Sequence, residues 1–153
     1  MTNYTRILVG VDGSNEAEAA FRRGVKMAVS SGAVLGIAFI ADIRRLAPLL
    51  DYERTFINKA KDYGEELVGI YKNEAEKAGV KLIETYVNFG TPKSTFVKKI
   101  LKNFQADLVL VGKSGLSATD QLLLGSVTEY VAKNSPCDVI VVHGQAWDEK
   151  KEV

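Results

Sequence analysis

Short β-rich apolar runs alternate with stretches of helical period along this chain, and the alternation predicts an α/β fold: a five-stranded parallel sheet, doubly wound, with helices on both faces. Two further observations support it. Residues 7–11, Ile-Leu-Val-Gly-Val, are continuously apolar, as expected of a strand buried on both faces. The intervening helical stretches are long enough to serve as the crossovers that parallel strands require. At 153 residues the chain is read as one domain, 1–153, with enough length to bury a proper core and a mostly polar, frayed tail over 144–153.

Residues 4–11 form the first strand. Asp12-Gly13 breaks it, and Ser14 is placed to cap a helix in which Ala17, Ala20, Phe21, Val25, Ala28 and Val29 recur at helical spacing up to Ser31-Gly32. Residues 33–41 are too short and too rich in β-formers for a second helix of that size, so they predict the second strand, ending at Ile40-Ala41-Asp42. Residues 44–51, with Arg44, Arg45 and Pro48, read as a surface connection. Phe56, Ala60, Tyr63, Leu67, Ile70, Tyr71 and Ala75 then mark the apolar stripe of a long amphipathic helix ending at Gly79.

Residues 80–87 alternate in part, which predicts a half-exposed third strand near a sheet edge. Gly90-Thr91-Pro92 supplies a turn, a threonine N-cap and a proline at the first helical position; the third helix then turns Phe96, Val97, Ile100, Leu101 and Phe104 inward. Residues 107–111 are the fourth strand. Ser126 and Glu129 have capping-box spacing for a helix running to about Asn134, where Pro136 stops it, and residues 139–142 are the fifth strand.

The stretch 109–127 carries the chemistry. An apolar strand ends abruptly at Gly112, a polar loop follows, and Gly125-Ser126 opens a helix. Glycines let backbone approach a ligand closely, and the first amides of a helix lack internal partners and lie at the positive end of its dipole, which suits them to phosphate. Gly112-Lys113-Ser114 imitates the end of a Walker A loop, but the first glycine of that motif would fall at position 107, which is Asp. The dinucleotide fingerprint is also absent after the first strand, where Gly10 and Gly13 have the wrong spacing.

Gly112, Gly115, Gly125 and Ser126 instead fit G-x2-G-x9-G-[ST], which resembles the nucleotide-binding signature of the universal stress proteins. The opening Ile7-Leu-Val-Gly-Val-Asp12-Gly-Ser14 resembles that family's first strand and turn, and residues 125–142 resemble its closing helix and strand, so the likeness runs over nearly the whole chain. It implies a Rossmann-like fold of the adenine nucleotide alpha hydrolase type, with strand order 3-2-1-4-5. Ligands bind beyond the carboxyl ends of strands where such an order reverses, here between Asp12 and Gly112. The resemblance further implies ATP, or AMP or ADP, as ligand, with magnesium compatible with it, and a homodimer.

Each candidate residue has two readings. Asp12 either terminates its strand and helps to cap the first helix or, as the resemblance implies, accepts from the nucleoside, with Val11 and Ile40 flanking the base and Ile40 contributing backbone. Lys113, where the family often has Arg or His, either neutralises phosphate or is solvated. Ser114 and Ser117 are candidate phosphate donors. Ser126 either forms the capping box with Glu129 or, with the first-turn amides up to Val127, receives phosphate. Cys137 is read as a small buried hydrophobe, and His143 has no partner at zinc-ligand spacing.

Twenty Lys and Arg against 19 Asp and Glu leave a net charge of +1, which gives no electrostatic argument for nucleic acid or an anionic membrane. The lone cysteine forms no internal disulfide and the start lacks a signal-peptide pattern, so a cytoplasmic protein is expected. No general base, arginine clamp or carboxylate pair for magnesium is evident; the expected function is therefore an ATP-binding regulatory module with at most slow hydrolysis, no catalytic residues and no protein-held metal. A nucleotide-free dimeric interaction module and an adenine-nucleotide hydrolase are the alternatives. The short apolar strand 139–142 lies at the sheet edge in the implied order and is the expected homodimer seam.

Overall fold

The computed structural model describes residues 3–42, 54–114 and 124–144, and side chains throughout these except at 54–56. Five strands, β1 (Arg6–Gly10), β2 (Val34–Asp42), β3 (Ile83–Gly90), β4 (Leu108–Gly112) and β5 (Asp138–Val142), form one parallel sheet in the order β3-β2-β1-β4-β5. The expected order is thus borne out, and it reverses between β1 and β4. Val9 pairs with Ile37 on one side and Leu110 on the other, and Leu110 with Ile140, so the carboxyl ends of the central strands finish level.

Period-two burial explains the two layers. Ile7, Val9, Leu35, Ile37, Leu108 and Leu110 point to one face and meet Ala20, Phe21, Val25 and Ala28 of α1 (Asn15–Ser31) and Val68, Tyr71 and Ala75 of α2 (Arg54–Ala78). Leu8, Ala38, Val109 and Val111 point to the other, against Phe96, Ile100, Leu101 and Phe104 of the third helical stretch and Val131 of α4 (Ser126–Asn134). That third stretch, α3, is continuous through Pro92–Ser94, a π-helical Thr95–Ile100 and Leu101–Phe104. Full burial of side chains such as Phe21 and Phe104 contributes about 1.5–3 kcal/mol each.

Several details differ from expectation. The third strand begins at Ile83 rather than at 80, because the Val80 amide donates to the Ala75 carbonyl and closes α2 past Gly79. It then continues to Gly90. Tyr63, Ile70 and Val29 fit the apolar spacing but are about half exposed, since a flat sheet covers only part of each helical circumference. Thr91 occupies the N-cap position of α3 without making a side-chain cap bond, whereas Pro92 stands at the helix start as expected. The 44–51 connection and most of the tail lie outside the described residues.

The amino ends of the strands are tied by polar contacts. Asp107 accepts from the Thr5 amide at 2.8 Å, the Thr5 hydroxyl at 2.9 Å and the Arg6 amide at 3.0 Å. Arg6 donates to the Phe104 carbonyl, pairs with Glu84 at 3.0 Å and lies over the Phe104 ring. Tyr86 donates to Glu84; burial first, and Glu84 second, pushes its hydroxyl up to about 12. The Tyr4 hydroxyl donates to Asp138, which opens β5. This lattice secures the end of the sheet opposite the candidate site.

Candidate functional site

The turn after β1 builds the first wall. Gly13 takes φ 87°, a left-handed conformation that suits glycine, and lets the chain turn from β1 into α1. Asp12 Oδ1 accepts from the Ser14 amide at 2.9 Å, and Ser14 Oγ accepts from the Ala17 amide at 3.1 Å, so Ser14 is the N-cap expected. The local reading of Asp12 is therefore realised in the geometry. Val11 is buried and extends the sheet through its amide to the Ala38 carbonyl; Ile40, half-buried near the end of β2, packs on the α3 side.

The second wall is the exit of β4. The Lys113 amide donates to the Val142 carbonyl and the Lys113 carbonyl accepts from the Gly125 amide, both at 2.9 Å. Thr128, buried in the first turn of α4, donates from Oγ1 to the Gly112 carbonyl at 2.5 Å. These bonds bring the start of α4 back to the end of β4, although Lys113 and Gly125 are 12 positions apart in sequence. Gly115 and Ser117 lie outside the described residues.

The expected capping box is not formed. Gly125 is the N-cap, with extended backbone at φ −62° and ψ 152°, and no side chain among the described residues caps the helix; Ser126 is already its first helical residue and is exposed. Glu129 turns outward to Lys133 at 2.9 Å, and that hydrogen bond, then the Lys133 charge, holds its carboxyl below the usual range, with Lys93 adding to the effect. The N-terminus of α4 is thus open to solvent at Ser126, with half-buried Val127 beside it.

Gly112 has a packing role of its own. A Cβ there would meet the backbone of α1, 2.7 Å from the Glu16 carbonyl carbon and 2.9 Å from the Ala17 nitrogen. Close packing of α1 on the strand end demands this glycine. Ser114 is likewise engaged inward, its hydroxyl donating to Glu16 Oε1 at 2.7 Å. Glu16, Thr128 and Lys93 escape sequence reading, since nothing local pairs Glu16 with a serine 98 positions away.

Cys137 is half-buried, and burial, followed by the charges of Asp138 and Asp107, raises its thiol. His143 is exposed beyond β5. Among the described residues, no three His, Cys, Asp or Glu side chains are grouped to hold a metal ion, and no helix is long and apolar enough to cross a membrane. An open groove lined by Glu65, Val68, Lys72 and Thr85 lies between α2 and β3, off the switch point.

A doubly wound parallel sheet whose strand order reverses between β1 and β4 defines a Rossmann-like protein, a class in which ligands bind beyond the carboxyl ends of the strands at that reversal. The sequence model of the Universal stress protein family matches residues 3–143, and the chain belongs to that family. A Staphylococcus aureus (strain USA300) protein named as a universal stress protein is 44% identical over 142 residues, covering 93% of this chain and 86% of that one. The structure resembles hypothetical protein MJ0577 with a TM-score of 0.84 and 26% identity, over 95% of this chain and 100% of the other. It also resembles a universal stress protein solved in complex with cAMP, with a TM-score of 0.68 and 30% identity, over 94% of this chain and 100% of that one.

Proposed function

We propose that this protein binds an adenine nucleotide, foremost ATP, in the crevice at the carboxyl ends of β1, β2 and β4, and acts as a regulatory module rather than a turnover enzyme. The observation that carries this reading is the start of α4, which has no side-chain cap among the described residues and is held beside the end of β4 by the Gly125 amide bond to the Lys113 carbonyl. A helix start without a side-chain cap leaves amide donors for an anion, and the helix dipole favours negative charge there. The geometry therefore fits phosphate.

In this reading Gly125, Ser126 and Val127 receive phosphate, and Gly112, Lys113 and Gly115 shape the loop. Val11, Asp12 and Ile40 serve the nucleoside, Asp12 with the carboxylate oxygen not used by Ser14. Magnesium would accompany the nucleotide's own phosphates rather than a protein carboxylate cluster. Hydrolysis would be slow, for want of a placed general base among the described residues. The cAMP complex of a relative with 30% identity supports an adenine nucleotide as the ligand class.

We further propose a cytoplasmic homodimer formed along β5, an edge strand whose half-buried Val139, Ile140 and Val141 leave its outer backbone edge for a two-fold mate. Native mass spectrometry of the purified protein tests both parts. A dimer carrying an adenine nucleotide mass supports them; a ligand-free protein that also fails to take up added ATP contradicts the site.

A further inference from the structure

Glu16 lies in the first turn of α1, where an acid ordinarily faces solvent and the helix dipole. Here it is half-buried. Its backbone packs under Gly112, its Oε1 accepts from the nearly buried Ser114, and Gly144, just past β5, lies against its Cγ closely enough that an added Cβ would come within 2.7 Å. Its other oxygen, Oε2, is buried with no hydrogen-bond partner among the described residues. A buried carboxylate oxygen without a donor is costly, and such a group calls for a reason.

The neighbours supply the reason. Ser114 follows Lys113, whose amide is fixed to Val142 and whose carbonyl receives the Gly125 amide. Holding Ser114 therefore holds the carbonyl that seats the start of α4. We propose that Glu16 is a positioning residue for the phosphate end of the site: through Ser114 it fixes the Lys113 carbonyl, and with it the placement of the Gly125–Val127 amides relative to the end of β4. The proposal rests on the nucleotide-binding reading given above, and it assigns Glu16 no contact with ligand.

The test combines calorimetric binding of ATP and adenosine with amide hydrogen exchange, in the full chain. Glu16→Ala and Ser114→Ala should each weaken ATP about tenfold, the loss of one hydrogen bond, and leave adenosine within about twofold. The double variant should be no worse than either single one, since the two residues act as a unit. Glu16→Gln, which retains the acceptor for Ser114, should restore ATP affinity to the parent value. Equal losses for ATP and adenosine, additive effects, or failure of the glutamine variant to rescue would each overturn the proposal.

Exchange separates this proposal from the nucleotide reading. Without any ligand, Glu16→Ala should speed exchange at the amides of residues 114 and 125 while leaving β1 amides unchanged. If the parent binds neither ATP nor adenosine, the nucleotide reading fails, and unchanged exchange at those two amides would then dismiss the brace as well; faster exchange there would uphold it.

Discussion

The hydroxyl of Thr128 donates to the carbonyl of Gly112, clasping the first turn of α4 to the last residue of β4. This single bond joins the two ends of the glycine loop at a buried point. Thr128→Val keeps the shape of the side chain but removes the donor. It should cost about 1–2 kcal/mol of stability, by chemical denaturation, because the buried carbonyl loses a partner. An unchanged denaturation midpoint would show that the clasp carries no weight.

Gly112 and Gly125 belong to one motif, yet they should respond in opposite ways. In Gly112→Ala the new Cβ meets helix backbone, which moves far less readily than a side chain, so about 2–3 kcal/mol of destabilisation is expected in urea unfolding. Gly125 has an ordinary extended backbone, so a larger residue there should fold normally. A Gly112→Ala protein as stable as the parent would refute the assignment of that glycine to packing.

The two ends of the proposed ligand are separable by chemistry. Asp12→Ala should weaken ATP and adenosine alike if the residue serves the nucleoside. Lys113→Ala should weaken ATP more than adenosine if the ammonium serves phosphate. Calorimetry with both ligands decides; identical losses for both ligands in both variants would remove this division of the site.

Asp107 should make stability depend on acid. Burial opposes ionisation, but the amides of Thr5 and Arg6 and the Thr5 hydroxyl outweigh it and hold the carboxyl below its ordinary range. With the folded pKa below the unfolded value of about 3.9, this stabilisation is present above that value and is lost as pH falls through the folded one. Thermal melts from about pH 5 down to about pH 2 should show Asp107→Asn losing less stability than the parent over that window. Parallel pH profiles would exclude Asp107 as a contributor.

Much of this structure was legible in the sequence because its signals are local. The continuous apolar run at Ile7–Val9 and the Ser14 cap are set by neighbours a few residues away, and both appear where expected. β3 starts later than the sequence suggests because Val80 looks like a strand residue, while its amide completes a helix end. Ser126 and Glu129 have the spacing of a capping box, but Lys133 one turn on competes for the carboxylate. The Glu16–Ser114 pair is invisible to spacing, since only the topology brings α1 against the exit of β4.

Assembly offers a separate test. Val141→Lys, or Ile140→Lys if that face proves to be the outward one, should weaken a dimer formed along β5 by placing like charges near its two-fold axis. Sedimentation equilibrium at micromolar concentration checks it. A monomeric parent, or dimers indifferent to both substitutions, would rule out this strand as the seam.

The most direct measurement is calorimetric titration of ATP into the parent and into Gly125→Val. Valine at this position places two methyl groups where phosphate would approach the amides of Ser126 and Val127, while backbone geometry stays allowed. The parent should bind ATP, and the variant should melt at nearly the same temperature but bind ATP at least about tenfold more weakly, as loss of a charge-assisted hydrogen bond implies. Equal ATP affinity in the two proteins would contradict a phosphate site at the start of α4.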